Sequence, residues 1–88
     1  MIRDLLGKKV VCEDLTVGKV TEIIFDLEKW KITHLNLELT KDATELFLGF
    51  KKSGVHNLLA VSAIGKVGKK IDLKVKKGQL KYIYLKAP

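Results

Sequence analysis

The stretch VGKVTEIIFDLEKWKITHLNLEL, residues 17–39, decides the fold of this 88-residue chain. Apolar and polar residues alternate along its first part, and the polar segment DLEKWK, residues 26–31, then interrupts the pattern. Alternation returns with Leu35, Leu37 and Leu39 on one side. A period of two residues indicates a half-buried β-strand. The stretch therefore predicts a β-hairpin with a loop of about four to six residues.

In the first strand of this hairpin we expect the odd-numbered residues of 21–27 to face inward, with Ile24 as the exception. The tip of the hairpin carries Trp30. A tryptophan in a polar loop is a large apolar cover, so it more often shields a barrel edge than binds a ligand. We keep Trp30 as a candidate docking residue beside that interpretation.

The rest of the chain predicts short strands around one helix. Strand-like runs lie at residues 8–13, 55–61, 70–76 and 79–85. Residues 40–52 change to a helical period, with Ala43, Leu46, Phe47 and Phe50 on one face. The elements predict a mainly β fold in which residues 1–88 form a single domain, a small barrel of five to six antiparallel strands with one short helix.

The predicted last strand, residues 79–85, follows a tight turn at Lys77 and Gly78 and is apolar on both faces. A strand of this kind is usually covered on both sides. A chain of this length buries only about 60–65% of the surface that its unfolded form exposes, so a second copy is a plausible cover. We predict a homodimer, with a higher polymer as the alternative. The candidate interface residues are Tyr82, Ile83, Tyr84 and Leu85.

Charge is distributed unevenly. The net charge is +7, but residues 1–50 sum to −2 whereas residues 51–88 carry ten lysines against Asp72 alone, a sum of +9. The lysines of the predicted final hairpin form either a solvated face that discourages strand pairing or a docking surface for an acidic partner. An acidic protein segment is favoured over nucleic acid, because Arg3 is the only arginine. The candidate docking lysines are Lys70, Lys74, Lys76, Lys77 and Lys81.

No residue pattern predicts catalysis, a cofactor or a metal. Cys12, His34 and His56 are not spaced as metal ligands, and Cys12 lies in an apolar run that predicts burial. No phosphate-binding loop or nucleophile motif is present. The start of the chain does not resemble a signal peptide and no apolar run approaches the roughly 20 residues that span a bilayer. We therefore expect a non-enzymatic protein of the cytoplasm that does not insert into a membrane.

A series of short motifs extends over residues 5–85 in a defined order. They are Gly7 before a strand, GKV at residues 18–20, Asp26 before the hairpin loop, ITHL at 32–35, VSAI at 61–64, and VG at 67–68 before IDL at 71–73. In this order the chain resembles the PRC-barrel family, named after the H subunit of the photosynthetic reaction centre. It departs from the family at Trp30, where small residues are usual, and at Lys69, where an aspartate is common.

The resemblance implies a β-barrel without catalytic residues or cofactors that serves in assembly. The chain looks most like the stand-alone archaeal members, which look like homodimers, some of them in the cell-division machinery with the FtsZ anchor SepF. It thus implies an adaptor at the division site whose partner is SepF or a second PRC-barrel protein. The alternative implied by the family is an RNA- or ribosome-associated factor similar to the ribosome maturation factor RimM.

Overall fold

Seven strands and several short helical segments form the part of the chain that this computed structural model describes, residues 2–88, with side chains from residue 4 onward. The strands are β1 (Lys9–Cys12), β2 (Leu15–Asp26), β3 (Lys31–Leu39), β4 (His56–Ala60), β5 (Ile64–Val67), β6 (Ile71–Leu73) and β7 (Leu85–Lys86). The helices are α1 (Lys41–Leu48) and α2 (Lys77–Gln79), with 3-10 turns at Ile2–Leu5 and Val61–Ala63 and a π-helical turn at Leu80–Tyr84.

The strands form one curled sheet in the order β5-β6-β1-β2-β3-β4-β7, a half-barrel with β5 and β7 at its edges. The prediction of a mainly β, barrel-like fold is confirmed. The prediction of five to six antiparallel strands with one short helix is wrong, since β1 and β6 run parallel and a second short helix is present. The parallel pairing joins distant segments, Val10 opposite Ile71, so local alternation carries no sign of it.

The quoted stretch is a hairpin, as predicted, and its loop is residues 27–30. The predicted inward residues of β3 are Leu35, Leu37 and Leu39, and all three are buried. In β2 the prediction holds only for Ile23, which packs against the core, whereas Thr21 is exposed. The register between β2 and β3 shifts between Val20 and Glu22 and again between Ile24 and Phe25, and a shift by one residue exchanges the two faces of a strand.

The core fills the concave side of the sheet and is capped by α1 and by the C-terminal helical segment. Its large buried members are Val10, Val17, Val20, Leu35, Leu37, Leu39, Phe47, Leu59, Ile71, Val75 and Leu80. The helix α1 begins after Thr40, whose hydroxyl accepts a hydrogen bond from the backbone N–H of Ala43 at 3.1 Å. It ends at Gly49, whose φ of 85° is the left-handed conformation that glycine adopts at helix ends.

The predicted last strand and the turn before it are wrong, because residues 77–84 are helical and only Leu85–Lys86 pairs with β4. The first turn is capped from outside, since the N–H of Lys77 donates to the Glu13 carboxylate at 2.9 Å. Leu80 is fully buried, and Tyr84, about one turn later, packs against the same core. Residues four apart share one side of a helix, so this segment buries one side and exposes the other.

Candidate functional site

The tip of the β2–β3 hairpin presents three apolar side chains to solvent, Phe25, Leu27 and Trp30, which we term the aromatic tip. Trp30 is 78% exposed and Leu27 72%. The rings of Phe25 and Trp30 meet edge to face, with centroids 6.2 Å apart and an angle of 79° between their planes. Trp30 therefore packs on its own hairpin and leaves most of its indole in solvent.

The loop that carries the aromatic tip is fixed by hydrogen bonds between its backbone N–H groups and the side chain of Asp26. The Asp26 carboxylate accepts hydrogen bonds from the N–H of Glu28 at 2.9 Å and of Lys29 at 3.2 Å. This is the usual way in which aspartate closes a turn. Trp30 has a φ of 53°, in the left-handed region that few non-glycine residues adopt. The indole is thus presented from a turn with a defined shape.

A second apolar surface lies between α1 and the C-terminal helical segment. It is a groove of about 350 Å³, termed the C-terminal groove, and its lining residues are Leu46, Phe47, Lys77, Gly78, Lys81 and Tyr82. Tyr82 is 79% exposed, and the Lys81 ammonium lies 5.2 Å from the centre of its ring, within the range of a cation–π interaction. The groove therefore combines an aromatic wall with positive charge.

The four candidate dimer-interface residues do not share one surface. Tyr82 and Ile83 project into solvent, whereas Tyr84 and Leu85 are half-buried and pack against the core. The helical turn separates them, where the predicted strand would have distributed them over two sheet faces. Only Tyr82 and Ile83 are placed to meet another molecule with most of their surface.

The candidate docking lysines are also separated by the helical turn. Lys70 ends the turn between β5 and β6, and Lys74 and Lys76 flank Val75, whereas Lys77 and Lys81 line the C-terminal groove. They do not form the single hairpin face that the sequence predicted.

One of these lysines is engaged in an ion pair at the rim of the groove. Lys77 donates a hydrogen bond to the Asp14 carboxylate at 2.9 Å. That hydrogen bond raises the pKa of Lys77 and lowers the pKa of Asp14. Lys81 is therefore the groove lysine whose ammonium is not held by a carboxylate among the side chains of residues 4–88.

The remaining polar candidates make ordinary structural contacts. Cys12 is buried and its thiol donates to the carbonyl of Val75 at 3.2 Å, and burial raises its pKa, which disfavours the reactive thiolate. His56 Nδ1 lies 3.1 Å from the Asn36 side-chain oxygen, and His34 Nδ1 lies 3.0 Å from the Thr33 hydroxyl. Within residues 4–88 no three acidic, histidine or cysteine side chains gather as metal ligands would. The expectation that the protein holds no metal stays a prediction.

Sequence reasoning missed the part of the groove that α1 contributes. It placed Ala43, Leu46, Phe47 and Phe50 on one helical face, and of these four only Ala43 and Phe47 are buried. Leu46 is 50% exposed and forms a groove wall, and Phe50 lies beyond the end of the helix. The available signal was the number of large apolar residues in so short a helix, which exceeds what one buried face holds.

Two comparisons with known proteins found no match for this chain. No protein-family model matches the chain, and no curated protein sequence matches it either. Within the described part of the chain, none of the helices has both the length and the apolar character required to cross a membrane.

Proposed function

We propose that this protein is a non-catalytic protein–protein interaction module that acts as a homodimeric adaptor. The observation that carries the proposal is the exposure of Trp30, Tyr82 and Ile83 on two surfaces of so small a protein. Tryptophan and tyrosine are enriched among the residues that dominate binding energy at protein interfaces. Their exposure leaves unfavourable apolar surface in water, which a partner would remove.

The C-terminal groove is the surface proposed for the second copy. Tyr82 and Leu46 both line it, and the exposed Ile83 follows Tyr82 directly in the chain, so a self-complementary contact would bury aromatic and aliphatic side chains together. The aromatic tip would then remain for a different partner, or for a second type of contact that extends dimers into a polymer. The two surfaces share no residue, so they can be tested separately.

The test is the molar mass of the protein by size-exclusion chromatography with light scattering at high micromolar concentration. The wild type is expected to run as a dimer and the double variant Tyr82→Ser, Ile83→Ser as a monomer. Val67→Ser is the matched control, because Val67 is also an exposed apolar residue but lies outside both surfaces. A monomeric wild type, or a dimer that survives the double variant, would contradict this role of the groove.

The assembly that such an adaptor serves is proposed from the resemblance to PRC-barrel proteins. It is a division-site assembly in an archaeal cytoplasm, with SepF or a second PRC-barrel protein as the partner. We expect purified SepF to bind the wild type and to bind Trp30→Ser at least about ten-fold more weakly, as for a central aromatic contact. Leu6→Ser, also an exposed apolar position, is the control. SepF that does not bind the wild type would remove this partner from the proposal.

A second candidate function is supported by the charge. Residues 51–88 carry a net charge of +9, which favours an RNA- or ribosome-associated role. In that case the protein would be retained on RNA at low salt and released as salt rises. Glutamate at Lys74, Lys76 and Lys81 would abolish retention, whereas glutamate at Lys29 and Lys31, in the other half of the chain, would not. Absence of retention at low salt would rule against it.

A further inference from the structure

A third surface feature is a groove of about 320 Å³ at the junction of β1, β2, β3 and the start of α1. Three different elements each place one lysine on it: Lys9 from β1, Lys19 from β2 and Lys41 from α1. We term it the lysine groove. It shares no residue with the aromatic tip or the C-terminal groove, and the lysines are not among those that sequence analysis singled out.

Two of these lysines are neighbours in the sheet although their charges repel each other. Lys9 stands directly opposite Lys19 in the β1–β2 ladder, and like charges in that position destabilise a sheet. Among the lining residues from residue 4 onward, the one carboxylate is that of Glu38, which faces Lys19 across the β2–β3 ladder with its Oε1 4.0 Å from Nζ. Among the side chains of residues 4–88, Lys9 and Lys41 form no ion pair. Of the three lysines on the groove, Lys19 alone is therefore within ion-pair distance of a described carboxylate, and that distance is long.

The position of Lys41 at the start of α1 is also electrostatically unfavourable. It is the first residue of α1, where the positive end of the helix dipole disfavours a cation. Sequences break local rules of this kind most often at functional sites, where another requirement outweighs stability. A bound anion would offset these repulsions, because it attracts each ammonium group and the positive end of the helix dipole.

We infer that the lysine groove binds a compact phosphate polyanion, the diphosphate group of a small molecule. Three lysines exceed what a single carboxylate ligand needs, and lysine is a common phosphate-binding residue. Thr16 and Ser53 also line the groove, and a hydroxyl group is a donor that suits phosphate oxygens. The volume lies at the lower end of the range for small-molecule sites.

A nucleic-acid strand fits this groove less well than a small molecule. The lining residues among residues 4–88 include no aromatic ring, whereas grooves that follow single strands use aromatic side chains on which bases stack. Binding at the lysine groove involves the phosphate group of the ligand. It does not depend on the dimer and adaptor proposal, because the lysine groove shares no residue with the surfaces used there.

The test is calorimetric titration of the full chain with inorganic pyrophosphate at an ionic strength of about 0.15 M, where non-specific attraction is screened. Saturable binding of one pyrophosphate per chain is expected. Lys9→Ala and Lys41→Ala are each expected to weaken it about ten-fold, the usual loss for a charge-assisted hydrogen bond. Lys66→Ala removes an exposed lysine elsewhere and is expected to leave the affinity unchanged. No saturable binding, or an equal loss in Lys66→Ala, would overturn the proposal.

Two further measurements keep the result unambiguous. Lys41→Arg keeps the charge and is expected to retain affinity within a few-fold, so a loss in Lys41→Ala alone is not explained by misfolding. A single-stranded RNA of roughly eight nucleotides is expected to compete weakly with pyrophosphate. If that RNA binds more tightly than pyrophosphate and displaces it, the groove serves a nucleic-acid backbone and the assignment to a small molecule is wrong.

Discussion

The β2–β3 hairpin and the C-terminal helical segment are held to the core in different ways. The hairpin buries Leu35, Leu37 and Leu39 in a row, and its strands have hydrogen-bonded neighbours on both outer sides, β1 and β4. The helical segment, residues 77–84, has one fully buried side chain, Leu80, and two capping hydrogen bonds at its start. One region is part of the centre of the sheet, whereas the other packs on the core through Leu80 and Tyr84 and is capped at its start.

The difference explains where each region exposes apolar surface. The strands of the hairpin have neighbours on both sides, and the large apolar side chains that the hairpin exposes lie at its end, as the aromatic tip. The helical segment covers the core with one side, so its opposite side projects Tyr82 and Ile83 along its length. A partner bound at the tip would thus meet a stable support, whereas a partner bound at the C-terminal groove would meet a segment that opens more easily.

The largest effect is expected from loss of packing in the hairpin. Leu37→Ala should lower the free energy of unfolding by about 4 kcal/mol, because Leu37 is fully buried in the middle of the sheet and leaves a cavity that neighbouring strands cannot close. Denaturant titration measures it. Leu27→Ala, at the exposed tip, is the control and should change stability by less than about 0.5 kcal/mol. Comparable losses in both variants would mean that the hairpin is not centrally packed.

A smaller loss of stability is expected when the fully buried leucine of the helical segment is truncated. Leu80→Ala should cost about 3 kcal/mol, since Leu80 is also fully buried but lies in a peripheral segment that can partly relax. Amide hydrogen exchange should show faster opening of residues 77–84 than of β2 and β3. Ile83→Ala, two-thirds exposed, is the matched control with little change. Equal acceleration of exchange in β3 would show that the segment unfolds only together with the sheet.

The two regions also differ in how far the sequence predicts them. The hairpin was predictable because its apolar residues repeat with a period of two and a polar loop interrupts them. The segment QLKYIYL was not, because its apolar residues fit a strand and a helical turn equally well. One contact that favours the helical turn is the cap from Glu13, which is so distant in the chain that the segment itself carries no sign of it.

The candidate sites also differ in how far the sequence predicts them. Trp30, Tyr82 and Ile83 were among the candidate contact residues named from the sequence, but Tyr84 and Leu85, named with the last two, are half-buried, and the element predicted for all four was wrong. The lysine groove could not be identified, because Lys9, Lys19 and Lys41 lie in the half of the chain whose net charge is negative. The pairing of β1 with β2 and the position of α1 bring them together.

A weaker perturbation tests whether the caps, as well as Leu80, hold the helical segment. The side-chain oxygen of Gln79 accepts a hydrogen bond from the N–H of Lys76 at 3.0 Å, so Gln79→Ala leaves that N–H without its partner. The expected cost is about 1 kcal/mol, as for other helix-capping contacts. Thermal unfolding measures it, with Gln79→Glu as the control that keeps an acceptor. A Gln79→Ala variant as stable as the wild type would assign the segment to its leucine alone.

The smallest effect concerns the hairpin and is set by pH. Burial lowers the pKa of His34 in β3, and the positive charge of Lys86 in β7 lowers it further, so the folded protein favours the neutral imidazole. The unfolded chain takes up a proton more readily, so the stability that His34 contributes is complete above about pH 6.5 and is lost as pH falls towards the lowered pKa of the folded state.

Denaturant midpoints between about pH 7.5 and 5.5 should therefore decline in the wild type and decline less in His34→Gln. Because Lys86 belongs to the peripheral strand that follows the helical segment, Lys86→Gln should also reduce the decline, by less than His34→Gln does. An unchanged slope in His34→Gln would place the pH dependence on other groups.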